Sequence, residues 1–166
     1  MMDIVRTVIA EIAEGAIKRF SGSGRTHETF TDREYFQHYG FTSRPKAGAE
    51  GITLIKGNTV YLIASDDRRY RITLANGEVA LYSDEGDFIH FKRDNLLHIS
   101  TKKKLQADAA QEADITAPIV KVTASTSCTI VSPSIEFTGS VHVTGNLAAS
   151  GTIIDSTGNT NHHSHG

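Results

Sequence analysis

Hydrophobic positions along the 166-residue chain change their spacing twice, and each change marks a different kind of element. Between residues 3 and 20, Ile4, Val5, Val8, Ile9, Ile12, Ala13, Ile17 and Phe20 recur mostly three or four apart. Side chains so spaced line one face of an α-helix, which predicts an N-terminal amphipathic helix with Asp3 as its N-cap. Ser21-Gly22-Ser23-Gly24 then ends it and reads as a flexible joint, so residues 1–24 form a helix and joint outside the main domain. A helix so placed needs cover for its stripe: its own domain, another chain or a membrane surface.

From Arg25 to Ser100 the apolar runs shorten and turn residues punctuate them. Ile52–Leu54 and Val60–Leu62 flank Lys56-Gly57-Asn58, and Tyr70–Ile72 and Val79–Leu81 flank Asn76-Gly77. Glycine and asparagine accept positive φ, which a two-residue hairpin turn requires. Phe88–Phe91 follows Glu85-Gly86, and Leu96–Ile99 follows Asp94-Asn95. Five or six short strands in so few residues predict a small antiparallel barrel, such as an OB fold, over residues 25–100.

Residues 101–115, with Lys102-Lys103-Lys104, Glu112 and Asp114, form a charged connector. Beyond it the composition changes abruptly: of 17 Lys and Arg and 19 Asp and Glu in the chain, only Lys121, Glu136 and Asp155 lie after residue 115. Ser, Thr, Val and Ile dominate there, favouring strand over helix. Val120, Val122, Ala124, Cys128 and Ile130 share one side of a period-two pattern, and after Ser132-Pro133 the alternation resumes at Ile135, Phe137, Val141 and Val143. Gly139, Gly145 and Gly151 stand six residues apart in three successive Thr-Gly or Ser-Gly hexads.

Hexads can wind a single-chain β-helix, as in hexapeptide-repeat acyltransferases. Three of them supply only about one coil, and stacked repeats generally need about three units to bury a core. A segment of this length with one apolar face finds cover when identical chains wind about a common axis, which also removes open strand edges. Several identical copies wound about a common axis are the expected arrangement for residues 116–158, with an apex over 159–166.

Charge and cysteine content narrow the functional classes. A net charge of −2 and a pI near 6.4 supply no basic field for nucleic acid, and Arg68, Arg69 and Arg71 are too few and too local to make a groove. An OB-type carbohydrate or nucleic-acid binding module is the alternative. The lone Cys128 closes no intrachain disulfide and reads as a small buried apolar side chain. No phosphate loop, nucleophile elbow or HExxH motif occurs, so no enzymatic activity is expected. The N-terminus lacks the pattern of a secretory signal, and no run approaches the roughly 20 apolar residues of a membrane span. A soluble product made in the cytoplasm is expected.

Chemistry concentrates at the C-terminus, in His162-His163-Ser164-His165. In extended chain His163 and His165 share one side. Three chains at an axis would bring six imidazoles together, a set that suits an octahedral transition-metal ion better than tetrahedral zinc. The competing reading is an unstructured tail or a remnant of a purification tag. His142 falls on the outward phase of its strand, and His27, His38, His90 and His98 read as structural or surface residues. Asp155 sits in line with Ile153 near the axis, where it binds a cation such as calcium or is solvated; solvation is the preferred reading, because three unpaired buried carboxylates are costly.

Tyr39-Gly40-Phe41-Thr42-Ser43-Arg44-Pro45, Gly48-Ala49-Glu50-Gly51 and Asn76-Gly77-Glu78-Val79-Ala80-Leu81-Tyr82 resemble the OB domain of the baseplate assembly protein V family of Mu-like contractile-tailed phages. The Thr-Gly hexads and the terminal His163-Ser164-His165-Gly166 are similar to the spike region of the same proteins. The resemblance spans roughly residues 5–166. It implies a homotrimeric central tail spike in the virion baseplate, with an OB collar and an intertwined triple-stranded β-helix over residues 116–158, assembled in the host cytoplasm and seated on a tail hub or other baseplate proteins. It further implies an apex that leads the tail through the host outer membrane into the periplasm, with one metal ion per trimer, iron, on His163 and His165. The spike of a phage-derived bacterial injection machine would look the same.

Overall fold

A computed structural model describes residues 1–151 and divides the chain into two compact units, Met1–Ala110 and Gln111–Gly166. The first unit holds every strand among the described residues. β1 (Asp3–Ala13), β2 (Arg19–Ser23), β3 (Thr29–Tyr35), β4 (Glu50–Lys56) and β5 (Thr59–Asp66) close a barrel in the order β1-β2-β3-β5-β4. All pairings are antiparallel except β3 with β5, where Glu34 faces Tyr61 and Tyr35 faces Leu62 in parallel register. This is an OB-like barrel.

The N-terminal segment corrects the sequence reading: residues 3–13 are a barrel strand, and no helix occurs among the described residues. Val5, Thr7 and Ile9 are buried at alternate positions, as a strand requires. A bulge between Ile9 and Glu11 then shifts the phase, so the next buried residue is Ile12. The apolar members, Val5, Ile9 and Ile12, are thus four and three apart, which imitates helical spacing, while buried Thr7 is hidden from a hydrophobicity pattern. Ile4 and Val8, part of the expected stripe, are 64% and 47% exposed. Ile, Val and Thr fill most of the strand, and their branched Cβ favours the pleated conformation.

Ser21-Gly22-Ser23 is likewise no joint but lies in β2. A Cβ on Gly22 would stand 2.4 Å from the Val8 carbonyl oxygen. Glycine is required there because β1 and β2 approach closely beside their irregular pairing.

Ile9, Ile12, Phe20, Phe30, Tyr35, Ala49 and Leu62 fill the barrel, with Ile55 and Val60 packed against them. The Phe20 and Phe30 rings lie 6.0 Å apart, within the favourable range for an aromatic pair. The buried hydroxyls of Thr7 and Thr53 bond each other at 2.6 Å, so neither is left unsatisfied. The β4–β5 hairpin turns through Gly57 in positive φ, as the sequence led us to expect.

Residues 79–100 do not enter the barrel. β6 (Val79–Tyr82), β7 (Phe88–Phe91) and β8 (Leu97–Ser100) form a separate antiparallel sheet in that order. Asn76-Gly77 joins no hairpin with Tyr70–Ile72, which is not a strand; β6 turns instead through Glu85-Gly86 to pair with β7. In the second unit the described residues, through Gly151, form no strand in the single chain, and all are exposed.

Candidate assembly surface

The second unit combines strand-forming residues with no cover. Ile119, Val120, Val122, Ile130, Val131, Ile135, Phe137, Val141, Val143 and Leu147 are all between 47% and 91% exposed. Water opposes such an arrangement by about 25 cal/mol per Å² of apolar surface left uncovered, so the unit is built to be covered. Two of the three hexads also repeat in backbone conformation at their glycine. Gly139 and Gly145, six residues apart, adopt the same φ of 128°, which L side chains rarely take. Cys128 is exposed in the single chain, as is every other described residue of this unit. His142 lies 3.3 Å from the Thr144 hydroxyl.

His163 and His165, the expected metal ligands, lie outside the described residues, as do His162 and Asp155. Among the described residues no three His, Cys, Asp or Glu side chains group to hold a metal ion. The sheet brings together one pair that sequence reading left scattered. Register places Ala80 opposite His90, and Glu78 Oε2 then lies 3.1 Å from His90 Nε2, with both side chains nearly buried. Backbone N–H groups of Ala75 and Arg93 donate to the same carboxylate and hold it below the usual Glu range, with His90 adding to the effect. Glu78 thereby ties the β6 entrance to the β7–β8 turn. It is a structural clamp, and only strand register could have revealed it.

A cleft of about 710 Å³ lies between the barrel loop Gly40–Lys46 and β6, with Tyr70, Leu81 and Tyr82 on its walls. Lys46 pairs with Asp84 across it, raising its own pKa and depressing that of the carboxylate through their hydrogen bond. Lys46 and Arg69 also stand 5.8 and 5.3 Å from the Tyr70 ring centre. The Lys46–Asp84 pair links the β6–β7 turn to the barrel loop.

Residues 6–69 match the family model described as Bacteriophage Mu Gp45, N-terminal. That span coincides almost entirely with the closed barrel β1–β5. No curated protein matches the chain.

Proposed function

We propose, from a chain that belongs through residues 6–69 to the Mu Gp45 family of central baseplate spikes, that this protein is the structural spike of a contractile tail. It works as a homotrimer: the barrel is the collar that seats on the tail hub or other baseplate proteins, and the tail winds with two other copies into a triple-stranded β-helix. The observation that carries this reading is the exposed, strand-prone tail, in which Gly139 and Gly145 share one φ six residues apart, on a chain whose barrel matches that family. Three copies about an axis would cover one another's Val and Ile side chains and pair the open strand edges.

In this reading the protein has no chemistry to perform on a substrate. Sheath contraction supplies the work, and the spike must neither buckle nor unfold as it crosses the host outer membrane. Interwoven strands answer that need, because opening one requires separating subunits. Few charges on the tail lower its desolvation cost on entering lipid, and Ser and Thr hydroxyls keep it soluble beforehand. At the apex, two imidazoles from each of three chains would supply six nitrogen donors, a set that fits one octahedral ion; iron is the ion we propose. His163 and His165 would hold it and link the three chain ends. For Asp155, solvation remains the preferred reading over a calcium ion.

Sedimentation and elemental analysis of tag-free protein test the reading together. A particle of about 54 kDa, three times the 18.0 kDa chain, with one iron per three chains is expected. His163→Ala with His165→Ala should abolish the metal while leaving the trimer. A stable monomer at micromolar concentration would overturn the spike, and one metal per chain would overturn the axial site.

A further inference from the structure

The β6–β8 sheet has two unlike faces. Register aligns Val79 with Phe91 and Leu97, and Leu81 with Ile89 and Ile99, so these six side chains share one face. All six are apolar, and each is between 38% and 59% exposed. On the reverse face Phe88 packs edge-on against His90 and His98, and His90 meets Glu78. An antiparallel sheet with one face in water ordinarily places its polar residues on that face. Here the exposed face carries none.

We infer that this apolar face packs against the same face of other copies of the chain, forming a second inter-subunit contact within the collar, in addition to that of the tail. The inference rests on the trimeric reading above. Three considerations select another copy as the occupant. Lipid is unsuitable, because β6 and β8 are both sheet edges whose open backbone groups hydrocarbon cannot satisfy. The face holds no charged side chain to orient an unlike charged partner, whereas like apolar faces pack directly, as stacked sheets do at about 10 Å. Finally, three strands about 4.8 Å apart and four residues long give a face on the order of 200 Å² in projection. A stable interface needs about 800 Å² per partner, so this patch is too small to capture a free protein. It suffices where another contact already holds the copies together at high effective concentration, which is what the tail provides in the trimer.

Photocrosslinking in the full-length chain tests this. The photoreactive residue p-benzoylphenylalanine is placed at Ile89, on the central strand, and ¹⁴N- and ¹⁵N-labelled chains are mixed, reassembled, irradiated and digested. Mixed-isotope adducts joining residue 89 to residues 79–99 of another copy are expected. Adducts only within one chain, or to the tail, would overturn the inference, as would the absence of any adduct in a protein that still sediments as a trimer. A monomeric full-length chain would overturn the trimeric reading as well, so the two failures are distinguishable. As a second variant, Leu81→Lys with Ile89→Lys alters side chains already exposed in the single chain and should leave the barrel folded. It is expected to raise the concentration for half-dissociation of the trimer at least tenfold; an unchanged value would sink the idea.

Discussion

Barrel and tail use the same side chains to opposite ends. In β1 the alternation of Val5, Thr7 and Ile9 turns three side chains into a closed core where each is at most 3% exposed. In the tail Val141 and Val143 alternate equally well and remain 64% and 47% exposed. Patterning is thus a demand for burial, and does not say what meets it. The barrel meets it within one chain, because five strands reach far enough round to pair first with last. The described tail finds no such cover within one chain, and in the function proposed above other copies supply it.

The sharpest break of this comparison comes from deleting residues 1–24, which removes β1 and β2. Were that segment an appended helix, the barrel would survive; as two of five staves, its loss should abolish the barrel's cooperative unfolding, read by circular dichroism. Next in size, Phe20→Ala should cost about 3–5 kcal/mol in chemical denaturation, because the cavity would open inside a closed barrel. Phe137→Ala, the same change on a side chain 68% exposed in the single chain, should leave barrel stability unchanged and weaken only trimer assembly. A smaller effect is expected inside the barrel's polar pair. Thr7→Val leaves the Thr53 hydroxyl buried without its partner at about 1–3 kcal/mol, whereas changing both residues to Val should be nearly neutral.

The smallest effect belongs to Glu78. Its folded pKa is depressed below the ordinary 4.5, so its contribution is fully present above that value and is lost as pH falls through the lower folded value. Glu78→Gln should therefore reduce the wild-type loss of sheet stability as pH falls below 4.5, measured by hydrogen exchange of β6–β8. An unchanged acid dependence would show that the clamp is electrostatically idle.

Local features were the legible ones. The β4–β5 hairpin could be read because Gly57-Asn58 and its flanking runs act within a few residues. β1 could not, since a bulge and a buried threonine disguised its period, and the parallel closure of β3 on β5 joins residues far apart in sequence. Asn76-Gly77 was a sound turn signal attached to the wrong strands: Gly77 does take a positive φ, but β6 finds its partner on the other side. In the assembly surface, the tail's alternation and its hexad glycines were visible directly, and the shared φ of Gly139 and Gly145 gives two of the three hexads a common backbone conformation. His163 and His165 remain a reading of spacing and donor chemistry.

What the sequence by itself determined is where this protein is apolar, where it turns, and that its last fifty residues differ in kind from the rest. These follow from side-chain chemistry and from backbone preferences acting over a few residues. Tertiary structure alone decided which strands pair, that the first eleven-residue strand is a stave and not a helix, and that Glu78 meets His90. Each of those depends on competition among distant segments for the same hydrogen bonds and the same core. The six apolar residues of the β6–β8 face show the division most clearly: every one was visible in the sequence, but only strand register put them on one side of a sheet, where each stays 38–59% exposed.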